Sequence, residues 1–593
     1  MRTVQWAASA LLLGSAFSAC LLPSFEKVDE QPTAQGGAVG SAGAPTVSAG
    51  DENQAGEAGA SGSPPPAPVD DVFSMLQGGK LKLAAPGVLE NDAGSSLTVS
   101  VTDDTDTRRP AKYDAASLNI DADGALIFEP QADFFGTYSV QYTVLDKDGL
   151  SATANVTIHV QPVNAKLATV RDGIGGFVID GAADDGIGTA IAGAGDVNND
   201  GFDDIAVGAP AAGDNGAGRA YLVYGRAKSA AVSLKPLTAK STERTFVSFD
   251  GADGDGVGNS VAGIGDLNKD GYSDFALAAS KALPSGAVYV LYGGTFSGGT
   301  ALANLSAARG VTLTSSGASI GNLISRAGDV NGDGTPDLLI SAALNNGRVY
   351  AVLGSDKLKS SDIDALPNLR IDGDLQNEAL PQSLDYVGNV NSDGRDEIVV
   401  ASQVSVTLLL GTDGAYPAKD NSSTNTNGAA GGWHYDFDAP QSPPVAGAGN
   451  VDGDAVGTDD LLICEVFGSD PLTCRVVFSP PVLLDAGWSM SGFSGQPRVT
   501  HGADINGDGF SDLVFGDGAR AEVVFGKRSG HSPVDVSALG DAGFSFETED
   551  KSVIDSVATI GDVNGDGIAD YAVGVSSANA GTGSIYVIFG EKY

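Results

Sequence analysis

The sequence predicts an all-β chain: a seven-bladed β-propeller of repeats, preceded by a small β-sandwich and a disordered linker. Three observations carry this. An acidic motif recurs seven times at a nearly constant spacing, short apolar strands recur in phase with it, and the segment upstream alternates apolar and polar residues with period two. The composition agrees, with 82 Gly and only 7% aromatic residues in 593. Gly weakens the interior of regular elements and supplies turns, so many turns and few long helices are expected.

Acidic residues number 75 against 33 basic ones, a formal charge of −42. That charge repels a phosphate backbone, so nucleic acid is excluded as a partner. Much of the Asp sits in short loops along the chain rather than in one tail, where bound cations would offset it.

Residues 1–19 read as a secretory signal peptide. Arg2 precedes an apolar run from Ala7 to Phe17 and small residues before Cys20, and the run is too short to span a bilayer. The stretch "FSAC" resembles the bacterial lipobox, with Phe17 where Leu is common. The resemblance implies that Cys20 is lipidated; ordinary cleavage after Ala19 or nearby is the alternative. Residues 20–67 are Gly, Ala, Ser, Pro and acid, ending in "SGSPPPAPVD". Such a segment lacks the apolar content to offset ordering entropy and reads as a tether.

Residues 68–164 read as short strands between Asp, Asn and Gly turns, with Tyr138, Val140, Tyr142 and Val144 in alternation. The stretches "DDVFSML", "GVLEND", "DGALIFEP" and "FFGTYSVQYTVLDKDG" resemble the bacterial cadherin-like, immunoglobulin-like domain of surface proteins. The resemblance implies calcium at strand ends, with Asp71, Asn91, Asp92 and Asp146 as its ligands; turn formation is the alternative role for these four.

Residues 165–593 hold the repeat. The spacing Asp-x-Asn-x-Asp-Gly-x-x-Asp begins at Asp196, Asp266, Asp329, Asp504 and Asp562, and weaker copies begin at Asn389 ("NVNSDGRDE") and at Asn450 ("NVDGDAVGTDD", with two residues inserted). A small-residue turn follows each copy, as at Gly208-Ala209-Pro210, and then an apolar strand closed by Gly, as in "YLVYG" or "IYVIFG". A further strand precedes the next loop, as in "TFVSFDG" and "GFSFET". Four short strands per unit is the content of a propeller blade. The last unit lacks an outer strand, and a spare strand lies before the first loop, Gly175 to Gly181. Pairing the two would close a ring; a linear solenoid is the alternative and leaves the spare strand without a use.

The pattern resembles the FG-GAP repeats of integrin alpha-subunit propellers and related bacterial exported proteins. Ile187-Gly188 stand in the FG place and Gly208-Ala209-Pro210 in the GAP place; Val257-Gly258 and Ile320-Gly321 keep only the first half. The resemblance implies structural calcium in several loops, held by side chains at positions one, three, five and nine and by the carbonyl of position seven. In the intact copies these are Asp196, Asn198, Asp200, Phe202 and Asp204; Asp266, Asn268, Asp270, Tyr272 and Asp274; Asp329, Asn331, Asp333, Thr335 and Asp337; Asp504, Asn506, Asp508, Phe510 and Asp512; and Asp562, Asn564, Asp566, Ile568 and Asp570. The weaker copies offer Asn389, Asn391, Asp393, Arg395 and Glu397, and Asn450, Asp452, Asp454 and Asp460. Calcium takes six to eight oxygen ligands and tolerates irregular geometry, which suits this set better than the stricter octahedron of magnesium. Metal-free turns built from Asp, Asn and Gly are the alternative. An EF-hand or dockerin needs a ligand at position twelve, where this chain has Val207, Leu277, Ile340, Val400, Phe515 or Val573.

Cys464 and Cys474 flank a Gly-Ser-Asp-Pro turn between apolar strands, so a disulfide across a hairpin is expected in an oxidising compartment, with two buried thiols as the alternative. Of the four histidines, His159, His434, His501 and His531, none falls in a metalloprotease or zinc pattern, and no nucleophile elbow or phosphate loop is present. FG-GAP repeats also accompany the histidine-rich catalytic domain of glycosylphosphatidylinositol-specific phospholipase D, which no segment here resembles. Trp433, His434 and Tyr435 read as strand residues or as a ligand site, and the loop "KDNSSTNTNG" as a place for variable contacts. The expected function is therefore binding or adhesion outside the cell by a lipoprotein that binds structural calcium, without catalysis, toward a protein or glycan ligand. Its membrane contact is confined to the lipid anchor, and its location is the outer membrane or cell surface, or else secreted or periplasmic. The alternatives are an enzyme acting on extracellular polysaccharide and a purely structural envelope component.

Overall fold

The computed structural model describes residues 65–592 except 104–116, 183–184, 228–230, 235–244, 297, 344–346, 367, 373–380, 404, 413–432, 437–442, 454–457, 466–471 and 479–487. The signal segment with Cys20, most of the tether, Asp454 and the "KDNSSTNTNG" loop lie outside the described residues.

Alternation builds the sandwich. Along Gly136–Leu145 the residues Tyr138, Val140, Tyr142 and Val144 are buried while those between them are not. That strand lies in a four-stranded sheet in the order Asp71–Leu76, Ser151–Gln161, Gly136–Leu145 and Thr98–Asp103. The first pair is parallel and the other two antiparallel. A three-stranded sheet, Leu81–Leu83, Leu126–Glu129 and Ser117–Ile120, faces it across a core in which the Phe128 and Tyr138 rings stand 4.7 Å apart.

From residue 164 onward the described residues form seven sheets of four or five strands. In the first, Ile191–Gly195 is innermost, followed outward by Asp204–Ala209, Arg219–Val223 and Phe246–Asp250. The acidic loop always joins the innermost strand to the second. The innermost strands can approach one another because they carry Gly: a Cβ on Gly193 would meet Ile560 backbone at 2.8 Å, and one on Gly263 would meet the Gly193 carbonyl at 2.0 Å.

The ring closes as a β-propeller. Gly176–Asp180 pairs antiparallel with Ser584–Ile588, so the strand ahead of the first loop completes the last sheet. A belt of backbone bonds repeats the closure at the loops. The N–H of the eighth loop residue donates to the carbonyl of the first residue of the preceding loop, as Ser273 to Asp196 (3.2 Å), Asp396 to Asp329 (3.0 Å) and Ser511 to Asn450 (3.0 Å). Asp203 to Asp562 (3.0 Å) joins the first loop to the last. The third loop has Pro336 at this position and so no N–H to give.

Among the described residues five outer edges are covered by a short parallel strand: Val232–Ser233, Thr300–Ala301, Ser361–Asp362, Val534–Asp535 and Asn164–Lys166. Covering an edge removes a row of unpaired backbone groups. The last of these strands lies astride the expected boundary at 164/165 and ties the sandwich to the sixth sheet. The junction is reinforced by Phe135 against Phe546 (5.3 Å) and by Glu591, which accepts from Thr137 N–H (3.1 Å) and Thr137 Oγ1 (2.9 Å). Among the described residues no helix is long and apolar enough to cross a membrane.

Candidate functional site

Six of the loops are tied by their own side chains. In the last copy Asp562 Oδ1 accepts from the N–H groups of Gly565 (2.7 Å) and Asp566 (3.0 Å), and Oδ2 from Gly567 (2.7 Å). Asn564 Oδ1 accepts from Asp566 N–H (2.9 Å), and Asp566 Oδ1 from Ile568 N–H (3.0 Å). These are Asx turns, which draw alternate side chains toward the interior of the bend. Gly567 takes φ +87°, the left-handed conformation that lets the chain reverse there. The bond from the fifth-residue N–H to the first side chain recurs at Asp196, Asp266, Asp329 and Asp504, and at Asn389 in the fourth loop, where Asp393 N–H donates to Asn389 Oδ1 (3.2 Å).

The ninth residue makes backbone bonds that the spacing alone does not predict. Asp204, Asp274, Asp337, Glu397, Asp460, Asp512 and Asp570 are all fully buried. One oxygen accepts from the N–H of the second loop residue, as Val197 to Asp204 (3.2 Å) and Val563 to Asp570 (2.9 Å). In every sheet but the fifth, the other oxygen accepts from the Gly that closes the third strand: Gly225, Gly293, Gly354, Gly411, Gly526 or Gly590. The ninth carboxylate is thus a clip between the loop and the third strand. Glu397 does this with one more methylene. Burial pushes Asp204 up to about 8, Asp337 up to about 7 and Asp570 up to about 9, while the backbone donors pull each the other way. The closing Gly residues were visible in the sequence, but only the fold shows what they bond to.

The fit to a hard cation has two sides. Among the described residues, no group of three or more His, Cys, Asp or Glu side chains is arranged to hold a metal ion. The loop tips nevertheless present hard oxygen donors, and Asn198 Oδ1 and Asn450 Oδ1 are buried without a hydrogen-bond partner. A cation would satisfy them.

In the sandwich Asp71, Asn91 and Asp92 gather near Tyr142, whose hydroxyl donates to Asp71 Oδ2 (2.8 Å); burial pushes Asp71 up to about 6. Asp146 stands apart from this group and organises its own turn, accepting from Asp148 and Leu150 N–H (both 2.9 Å). Cys464 and Cys474 are buried opposite each other on paired antiparallel strands and are disulfide-bonded; the turn between them lies outside the described residues. Trp433–Asp436 is the outer strand of the fourth sheet, and Thr407 Oγ1 lies 2.8 Å from His434 Nδ1.

Residues 63–159 match the bacterial Ig domain, and residues 188–223 and 324–352 match the FG-GAP repeat. Integrin alpha-6 of Gallus gallus is 34% identical over 108 residues, 18% of this chain and 9% of its own length. Integrin alpha-IIb of Mus musculus is 34% identical over 151 residues, 25% of this chain and 14% of its own. Phosphatidylinositol-glycan-specific phospholipase D of Bos taurus is 31% identical over 157 residues, 25% of this chain and 17% of its own. The chain therefore spans less than a fifth of each of these relatives. It carries a bacterial Ig domain and FG-GAP repeats, and integrin alpha-subunits are among its homologues.

Proposed function

We propose that this chain is an exported adhesion or ligand-binding protein whose propeller is stabilised by calcium and displayed outside the cell. The observation that carries the reading is the ring of loops. Each loop rises from a buried carboxylate clip, and each tip offers oxygen donors to a cation, two of them the buried Asn198 Oδ1 and Asn450 Oδ1, which accept no hydrogen bond among the described residues. Positions one, three and five and the carbonyl of position seven would hold the ion, with the ninth residue lending a second lone pair. Each ion would also remove two charges of the net −42. Kinship with integrin alpha-subunits supports binding rather than catalysis, toward a protein or glycan ligand at the cell surface. In this reading residues 1–19 direct export, Cys20 carries the lipid, residues 20–67 are the tether, the sandwich of residues 68–164 is the stalk and residues 165–593 form the head.

Calorimetry on the chelator-treated full chain, with a melting curve at each calcium concentration, tests it. Several bound ions and a Tm that climbs with calcium are expected. No heat of binding and an unmoved Tm would leave the loops as metal-free turns. A mass measurement of the membrane-extracted protein tests lipidation of Cys20.

A further inference from the structure

The ring encloses a central channel of about 800 Å³, lined by the innermost strands. That volume falls within the roughly 300–1,000 Å³ typical of small-ligand sites. Its ionisable lining consists of Arg326, Arg498 and His501 with Asp203, Asp385 and Asp555. Two arginines to three carboxylates is a less acidic ratio than the 33 bases to 75 acids of the whole chain.

Arg326 is the unusual member. Its guanidinium lies 3.7 Å over the Tyr386 ring, Tyr386 stacks on His501 at 4.2 Å, and the Tyr386 hydroxyl lies 2.8 Å from His501 Nε2. Among the described residues Arg326 donates no hydrogen bond and has no carboxylate within ion-pair distance, so its planar fork of five N–H donors has no protein acceptor. It retains exposed surface even though burial in the ring pulls its pKa below the ordinary guanidinium value. Both facts hold because that surface faces the channel. The nearby acids are already engaged: Asp385 accepts from Ser325 Oγ (3.0 Å) and Gly447 N–H (3.2 Å), Asp396 from Asp329 N–H (2.8 Å) and Asp459 from Asn389 N–H (3.1 Å).

We propose that the channel is a binding site for an acidic sugar, a uronate, whose carboxylate is gripped by Arg326 stacked on Tyr386. A guanidinium fork matches a planar carboxylate. The three carboxylates around Arg326 oppose a second negative charge, which disfavours phosphate. The hydroxyls of Ser383 and Thr500 also line the channel; each is bonded to a neighbouring innermost strand, Ser383 to Val445 (3.3 Å) and Thr500 to Thr559 N–H (3.0 Å), and keeps an accepting lone pair for a sugar hydroxyl. The inference rests on the ring being a ligand-binding scaffold and is independent of calcium.

Calorimetric titration of the full calcium-saturated chain with galacturonate, galactose, inorganic phosphate and an Asp-containing tetrapeptide tests it. Galacturonate is expected to bind, with galactose and phosphate at least about tenfold weaker. Arg326→Gln should abolish the preference for galacturonate over galactose with an unchanged melting curve, and Arg326→Lys should recover it only in part. Equal binding of galacturonate and galactose, tighter binding of phosphate or the peptide, or a loss seen in Arg498→Gln and not in Arg326→Gln would overturn it. If Arg326→Gln misfolds, Tyr386→Phe and Arg326→Lys carry the test, because the first keeps the shelf and the second keeps the charge. A chain that still melts higher with calcium while ignoring galacturonate would sink this inference alone.

Discussion

Two sets of buried carboxylates are held in opposite ways. At the base of the loops Asp570 is fully buried and receives two backbone N–H donors, from Val563 (2.9 Å) and Gly590 (2.8 Å). In the strands outside the loops, Glu465 and Glu522 are 1% exposed, yet Glu465 Oε1 and Glu522 Oε2 have no hydrogen-bond partner. Arg520 Nε stands 3.6 Å from the other oxygen of Glu522. Burial pushes Glu465 up to about 7 and Glu522 up to about 8. Depth is common to both sets, so it does not set the role. The count of donors does: a carboxylate with two donors ties elements together, and one with an idle oxygen costs stability whenever it is charged.

The largest test of this difference is Asp570→Ala, which strands two buried N–H groups and should cost about 3 kcal/mol in urea unfolding without calcium. An unchanged midpoint would mean that the clip bears nothing. Glu522→Gln should act in the other direction. With a folded pKa of about 8 against the usual 4.5, the folded state binds more protons between these pH values. The stability that the protonated Glu522 contributes is complete below about pH 4.5 and is lost as pH rises through 8. The variant should therefore gain roughly 1–2 kcal/mol over the parent at pH 8 and nothing at pH 5, read as paired melting curves. A gain of the same size at both pH values would break the argument. Smallest is Asp566→Ala at an exposed loop tip, under about 1 kcal/mol without calcium. Its cost should grow once calcium is present; a calcium-independent cost would remove the tip from the proposed site.

The loops were legible because each is a local object: nine consecutive residues set their own turns, and seven copies reveal the template. The strand Gly176–Asp180 was legible by elimination, since one unit lacked a strand and another had one to spare. The eighth loop residue was not legible. It is Asp203, Ser273, Pro336, Asp396, Asp459, Ser511 or Ala569, with no common side chain, because its bond uses backbone N–H. The channel cluster was hidden for another reason. Arg326, Tyr386 and His501 each stand three residues before a loop, where the other copies have Gly or Thr, and Tyr386 and His501 are 115 residues apart along the chain.

The amino-acid sequence by itself determined the β class, the sandwich alternation, the repeat and the acidic turns, because each depends on residues within a few positions of one another. Tertiary structure decided which oxygens of those turns face backbone donors, which edges are covered, and that one arginine stands over a tyrosine inside the ring. Those outcomes follow from closure, which brings distant innermost strands together at Gly residues too small to keep them apart.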